Sequence, residues 1–191
     1  DKHMDQNVYT GIEEYGTTGL LNDPDATETA VSAGSSGSTQ WAKKSPDEIL
    51  ADVNAALTAN WAAAEYDETA LPNHILIPYE QYTDILTRKV TELATETILD
   101  FLLKNNAAVK NGGSLYIGPT RWCRGAGTGG ADRMAVYVNN SRFVSMDELV
   151  PLGRVMSGPN VANVCYDTAY MANISQVQLL YPQTLAYYDG I

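Results

Sequence analysis

The chain has 191 residues, 45% of them hydrophobic and 18% charged, with a net charge of −11. That supplies enough apolar chain for one sizeable core, holds no run of 18 apolar residues that could cross a membrane as a helix, and grips nucleic acid poorly, because such affinity rests on phosphate neutralisation. The N-terminus also lacks the charged start and apolar stretch of a signal peptide.

Asp1-Lys2-His3-Met4 reads as a vector-derived remnant, and the expectation from that is a piece starting at Asp5 whose natural N-terminal part is missing. Residues 5–40 show little periodicity and are rich in Gly, Ser, Thr and Asp, with GSSGST (34–39) a flexible stretch. Within them GLLNDP (19–24) stands out as an apolar pair closed by a turn signal. The acids concentrate here. Residues 1–68 hold 13 of the 23 acids and 3 of the 12 bases, a net of −10.

The first strongly signalled element opens at Ser45. Ser45 is an N-cap, Pro46 takes the first helical position and Glu48 completes a capping box. Ile49, Leu50, Val53, Ala56, Leu57 and Trp61 then recur at helical spacing, which predicts a helix to about Ala64. A polar loop (EYDET) leads to ILIP (75–78), short and β-branched, hence a buried strand. Pro78 starts a short helix through Tyr79, Tyr82, Ile85 and Leu86. A third helix is predicted over Glu96 to Asn105, with Ile98, Leu99, Leu102 and Leu103 on its apolar face, and Asn111-Gly112-Gly113 closes the region. From Leu115 onward the pattern is strand and turn: LYIGP, MAVYV, FVSM, NVCYDTAYM, VQLLYP and LAYYDGI. Helices followed by strands indicate an α+β fold.

Gly125, Gly127 and Gly130 match the spacing G-x-G-x-x-G of dinucleotide-binding loops. That mechanism needs a helix opening directly after the glycines, so that its N-terminus holds the phosphate. Here Met134, Val136 and Val138 alternate with Arg133, Ala135 and Tyr137, a strand pattern. The glycines therefore read as a flexible connection between two strands, and no cofactor is expected.

Other chemistry is thinly represented. Cys123 and Cys165 lie far apart and read as packed thiols. With the remnant set aside, His74 is the one histidine, placed at a strand edge. The adjacent acids Glu13/Glu14, Asp47/Glu48 and Asp67/Glu68 do not share a face and read as solvated or helix-start charge. Asp167-Thr168-Ala169 only faintly resembles an aspartic-protease motif. The 12 tyrosines read as core edge or subunit contact. Arg121, Arg124, Arg133, Arg142 and Arg154, with Trp122, read as an arginine-bearing surface that meets the acidic N-terminal third of a neighbouring copy.

The linear order of these pieces resembles the major capsid proteins of tailed phages, the Hong Kong 97 fold shared with encapsulins. There a long spine helix is followed by a G-(L/I)-L-N-x-P segment, a variable loop, an amphipathic helix and an apolar strand running into a proline-aromatic helix. GLLNDP, SPDEILADVNAALTANW (45–61) and ILIPYEQYTDIL (75–86) match those pieces. LYIGPT (115–120) matches the family's next strand, and VCYDTAYM and LLYPQTLAYYDGI match the hairpin and closing strand pair that follow it near the C-terminus.

The resemblance implies an axial domain with a mixed sheet flanked by helices, plus part of the peripheral domain, lacking N-arm, extended loop and spine helix. The boundaries expected from it are 5–45 peripheral segment, 46–170 axial domain and 171–191 strands returning to the periphery. It implies a non-enzymatic subunit of an icosahedral head assembled in the host cytoplasm and located in the virion. Its partners would be copies of itself, scaffolding and portal proteins, and packaged DNA bound only nonspecifically, with no membrane. The fragment alone is expected to be monomeric or weakly associated. The alternatives are an encapsulin-type compartment shell, a nucleotide-binding enzyme using the 125–130 loop, and a tail or adaptor protein.

Overall fold

The computed structural model of the chain describes residues 2–191. Helix α1 (Lys2–Tyr9) is followed by the GLLNDP turn, strand β1 (Thr27–Ala30), helix α2 (Pro46–Ala63), strand β2 (His74–Ile77) and helix α3 (Tyr79–Thr87). Helices α4 (Ile98–Asn105) and α5 (Ala107–Lys110), then strands β3 (Tyr116–Pro119) and β4 (Arg133–Tyr137), complete the middle. Strands β5 (Val144–Ser145), β6 (Glu148–Asn160), β7 (Cys165–Ile174), β8 (Gln178–Leu179) and β9 (Leu185–Asp189) follow. This is the α+β architecture the sequence predicts.

The capping box at α2 forms. Ser45 Oγ accepts from the Glu48 N–H at 3.3 Å, and the Glu48 carboxylate accepts the Ser45 N–H at 2.8 Å and the Ser35 N–H at 2.7 Å. Those backbone donors at Ser35 and Ser45 hold the Glu48 carboxyl down at about 2. Ile49, Val53, Ala56 and Leu57 are buried along the predicted face. A buried lysine then ties the preceding loop to the helix: Lys44 Nζ donates to Ser32 O and to Asp52 Oδ2, both at 2.6 Å.

Strand order in the main sheet is β1-β9-β4-β2-β3, with β1∥β9 and β2∥β3 parallel and the central pairs antiparallel. Period-2 alternation sorts its side chains onto two faces. Ile75, Ile77, Met134 and Val136 face a core shared with Ile49, Val53 and Leu57 of α2, Ile85 of α3 and Leu102 of α4. Leu76, Ala135, Tyr137, Leu185 and Tyr187 face the opposite way, where Leu20, Leu21 and Cys123 cover them. The GLLNDP segment is thus the lid of a second core.

Several expectations are corrected. Residues 2–9, where no helix was expected, form α1, so residues 2–4 lie within an element. The third helix begins at Ile98, because Thr97 caps it by accepting the Asp100 N–H, and it stops at Asn106, which caps α5. Strand β1 (TETA), exposed at all four positions, carries no apolar alternation to announce it. Strand β6 was not expected at all, since Pro151, Gly153, Gly158 and Pro159 read as breakers. It pairs with β7 through register shifts that absorb them.

Residues 27–30 and 185–189 pair with each other at one side of the main sheet. Residues 148–174 lie outside that sheet and pair only among themselves.

Candidate subunit-contact surfaces

The 125–130 glycine segment connects β3 to β4 and leads into a strand, with no helix after it. Gly125, Gly129 and Gly130 have φ of 62°, 70° and 80°. Gly127 has a different reason to be glycine: a Cβ there would lie 2.5 Å from the Asp189 carboxyl carbon. The loop is fastened by carboxylates. Asp132 accepts the Gly125 N–H at 2.9 Å, Asp189 accepts the Thr128 N–H at 3.0 Å, and the Thr128 hydroxyl donates to Glu28.

Two of these carboxylates, Asp189 and Glu28, also hold Arg133. Its side chain is 5% exposed and forms a fork on Asp189, Nε to Oδ1 at 2.8 Å and Nη2 to Oδ2 at 2.9 Å. Nη2 also lies 2.8 Å from Glu28, Nη1 donates to Leu21 O at 2.8 Å, and the guanidinium stacks 4.3 Å over the Tyr187 ring. Tyr187 in turn donates to Leu20 O at 2.8 Å. Burial acts to raise the Asp189 carboxyl, but Arg133 and the Thr128 N–H outweigh it and hold it below its ordinary value.

Arg133 is therefore committed inside the chain, contrary to its expected place on a subunit surface. It ties the Leu20-Leu21 segment, β1, β4 and β9 together. One sequence signal points there. Alternation puts Arg133 on the face of Ala135 and Tyr137, and a cation on a buried face needs internal partners.

The remaining predicted contact residues stay at the surface but do not form one patch by ion pairing. Arg121 lies over Trp122 at 4.7 Å and reaches Asp5 at 3.9 Å, while Arg124 pairs with Glu80 at 3.3 Å across two exposed side chains. Arg142 donates to Thr69 Oγ1 at 3.3 Å near the mouth of a cleft lined by Phe143, Tyr181 and Glu65. Trp122 is half-buried against the second core. Arg154 lies on β6 with no ion pair among the described residues.

His74 opens β2 between the Tyr116 and Tyr137 rings. Burial holds it below the ordinary histidine value against an opposing Asn73 contribution. Among the described residues no group of three or more His, Cys, Asp or Glu is placed to hold a metal. Cys123 is buried, and burial pushes its thiol up to about 12, whereas Cys165, expected to be packed, is exposed on β7.

The residue pattern does not announce the apolar exposure of the hairpin that the resemblance implies near VCYDTAYM. In the β6–β7 hairpin Leu149, Leu152, Val155, Met156, Val161, Val164, Tyr166, Tyr170 and Met171 are all more than half exposed. Its base is closed by the Asp147 N–H donating to Ser175 Oγ and the Ser175 N–H donating to Asp147 O, both at 2.8 Å.

A family model described as "Major capsid protein" matches residues 1–191. Among solved structures, the capsid of Myoviridae phage XM1 superposes with a TM-score of 0.80 at 18% identity, over 100% of this chain and 60% of that one. A virus-like particle from Pyrococcus furiosus superposes with a TM-score of 0.61 at 17% identity, over 98% of this chain and 62% of that one. The chain thus spans about three fifths of the length of these structural neighbours. A comparison with curated proteins returns no match.

Proposed function

The chain belongs to the major capsid protein family, and from that premise we propose that it works as a shell subunit of a tailed phage or prophage head, tiled against copies of itself to enclose DNA. The observation that carries this reading is the family match over all 191 residues. The fold shared with a phage capsid along the full chain agrees with it. Family and fold imply a structural role, so function is spread over flanks and does not converge in a cleft.

Within this reading the five-stranded sheet with α2, α3 and α4 serves as the axial domain, and the β6–β7 hairpin belongs to the peripheral part. Helix α1, separated from GLLNDP by residues 10–18, corresponds in this reading to the end of the family's spine helix. Arg121, Trp122, Arg124, Arg142 and Arg154 are the proposed subunit contacts. Scaffolding and portal proteins are further partners, and assembly takes place in the host cytoplasm before the subunit resides in the virion. DNA is enclosed with little grip, since a chain of net charge −11 repels phosphate.

The test is electron microscopy of the expressed protein. Capsomers or closed particles are expected, and a protein that forms neither under any assembly condition overturns the reading. The likeness to the Pyrococcus furiosus virus-like particle favours a second reading, a compartment shell with protein cargo. Nuclease-protected DNA inside purified particles supports the phage reading, whereas protein cargo without DNA supports the compartment.

A further inference from the structure

Asn73 and His74, where β2 begins, form a hub between three strands. The Asn73 N–H donates to Tyr137 O of β4 at 3.3 Å, and its carbonyl accepts the Tyr116 N–H of β3 at 2.9 Å. Asn73 Oδ1 accepts the Asn139 N–H at 2.7 Å and lies 3.0 Å from His74 Nδ1, while His74 Nε2 lies 3.1 Å from Asn139 Nδ2. The imidazole is tilted between the Tyr116 and Tyr137 rings, whose centroids are 5.1 and 5.5 Å away. Both of its nitrogens are thus in use, one toward the residue before β2 and one toward the turn after β4.

These partners fix the state of the ring. A backbone N–H needs an oxygen to donate to, so Asn139 sets the Asn73 amide with Oδ1 toward the imidazole. His74 Nδ1 then carries the proton as the donor, and Nε2, facing the Asn139 NH2 group, is bare and accepts. A second proton at Nε2 sets donor against donor at 3.1 Å, and Asn139 has to turn its amide over or withdraw. The titratable groups facing the ring are neutral phenols, Tyr116 from β3 and Tyr137 from β4, with Tyr9 of α1 beyond them. Asp5 acts on Tyr9 and Cys123 on both Tyr9 and Tyr137, but no charged side chain among the described residues acts on His74, which burial lowers against Asn73.

We propose that His74 is a proton-operated latch on the turn that leaves β4. Neutral, the ring accepts from Asn139 and makes the second of two ties between this turn and the start of β2; protonated, it leaves only the backbone tie at Asn73. The turn is where the chain departs from the main sheet. Asn140 O accepts the Phe143 and Val144 N–H groups at 2.9 and 3.0 Å, Asn140 Oδ1 accepts the Arg142 N–H at 2.9 Å, and β5 and the β6–β7 hairpin follow. Mild acid therefore loosens the root of that segment, while the two larger cores, which contain no histidine, stay closed. The sign follows from proton binding. An opened ring takes its proton at the ordinary value of 6.5 and the closed ring only at lower pH, so the closed turn loses stability as pH falls below 6.5 and levels off once the closed ring is protonated too.

An NMR titration of the isotope-labelled 191-residue chain between about pH 8 and pH 5 tests the latch, with His74→Gln separating the His74 signals from those of His3. The His74 midpoint should lie below 6.5, and the Asn139 side-chain amide signals should move with the same midpoint. Hydrogen-exchange protection of the Asn139, Phe143 and Val144 N–H groups, corrected for intrinsic exchange, should fall about fivefold across that titration, as for the loss of one ordinary hydrogen bond. In His74→Gln it should stay constant. Asn139→Ala, at an exposed position outside every core, removes the donor to Nε2 and should move the His74 midpoint upward. A histidine lowered by burial alone keeps its midpoint in that variant, so an unmoved midpoint overturns the latch. Asn139 signals that do not follow His74, or protection that falls equally in His74→Gln, overturn it as well. Should His74→Gln not fold, the midpoint in Asn139→Ala decides alone.

Discussion

At the scale of single residues, Arg133 is where the fold is most exposed to failure. A guanidinium and a carboxylate taken out of water are tolerable only with near-complete hydrogen bonding, and the Arg133–Asp189 fork, Glu28 and the Leu21 carbonyl provide it. Arg133→Met leaves Asp189, itself 7% exposed, without its counter-charge. The expected loss is about 3–5 kcal/mol in urea unfolding. The pH dependence has a definite sign. The Asp189 carboxyl is held below its ordinary value of 3.8 in the folded chain, so its contribution is present above that value and is lost as pH falls through the lower folded one. Asp189→Asn should therefore be less stable than wild type at pH 7, with a gap that narrows below about pH 4.

The glycines beside this cluster separate into two kinds. Gly129→Ala puts a Cβ into open space at a positive φ, a strain of about 1 kcal/mol. Gly127→Ala drives one into the Asp189 carboxylate and should cost more, with Thr128 released from its carboxylate acceptor. Equal melting temperatures for the two variants would remove the steric account of Gly127. None of this is visible in the string RGAGTGGADR, where the spacing alone suggests a phosphate loop. What the sequence does reveal is the strand after the glycines, which offers no helix N-terminus to a phosphate.

Elements divide according to whether their pattern reports burial. Helix α2 was legible to within a residue because its cap, its proline and its apolar stripe are all local signals, and β2 with α3 because a β-branched run meets a proline. Ser45→Ala should lower stability by about 1 kcal/mol through loss of the cap at the Glu48 N–H, measured by thermal or urea unfolding. Strand β6 was illegible for a converse reason. A strand with no buried face has no alternation to display, and its prolines and glycines, harmless at an exposed hairpin with register shifts, look like breakers. The two elements should also respond oppositely to removal. Because Asp147 and Ser175 already lie within hydrogen-bond distance, residues 149–173 can be replaced by a two-residue glycine turn. The shortened chain should keep its near-ultraviolet circular dichroism and melting temperature, since no residue of that span is part of a hydrophobic core. Its tendency to associate should fall.

For the whole molecule, the two cores divide the labour. The helices seal one face of the sheet and the GLLNDP segment the other, and the β6–β7 hairpin lies outside both cores. Which copy meets which cannot be read from one chain's sequence, because subunit contacts have no periodicity along the polymer; the arginines there look alike whether they end in a core, as Arg133 does, or at the surface, as Arg154 does. Charge nonetheless constrains how copies approach. With a net of −11 each, two copies repel over a distance set by the screening length, about 30 Å at 0.01 M salt and 10 Å at 0.1 M, whereas an arginine–carboxylate contact at about 4 Å is screened appreciably only near 1 M, where that length is about 3 Å. Association measured by light scattering should accordingly rise between 0.01 and 0.1 M salt as the long-range repulsion fades, then decline toward 1 M as the contacts themselves weaken. A monotonic increase all the way to 1 M would mean that apolar burial alone holds the copies together, and the arginine-bearing surface would lose its assigned part in the shell.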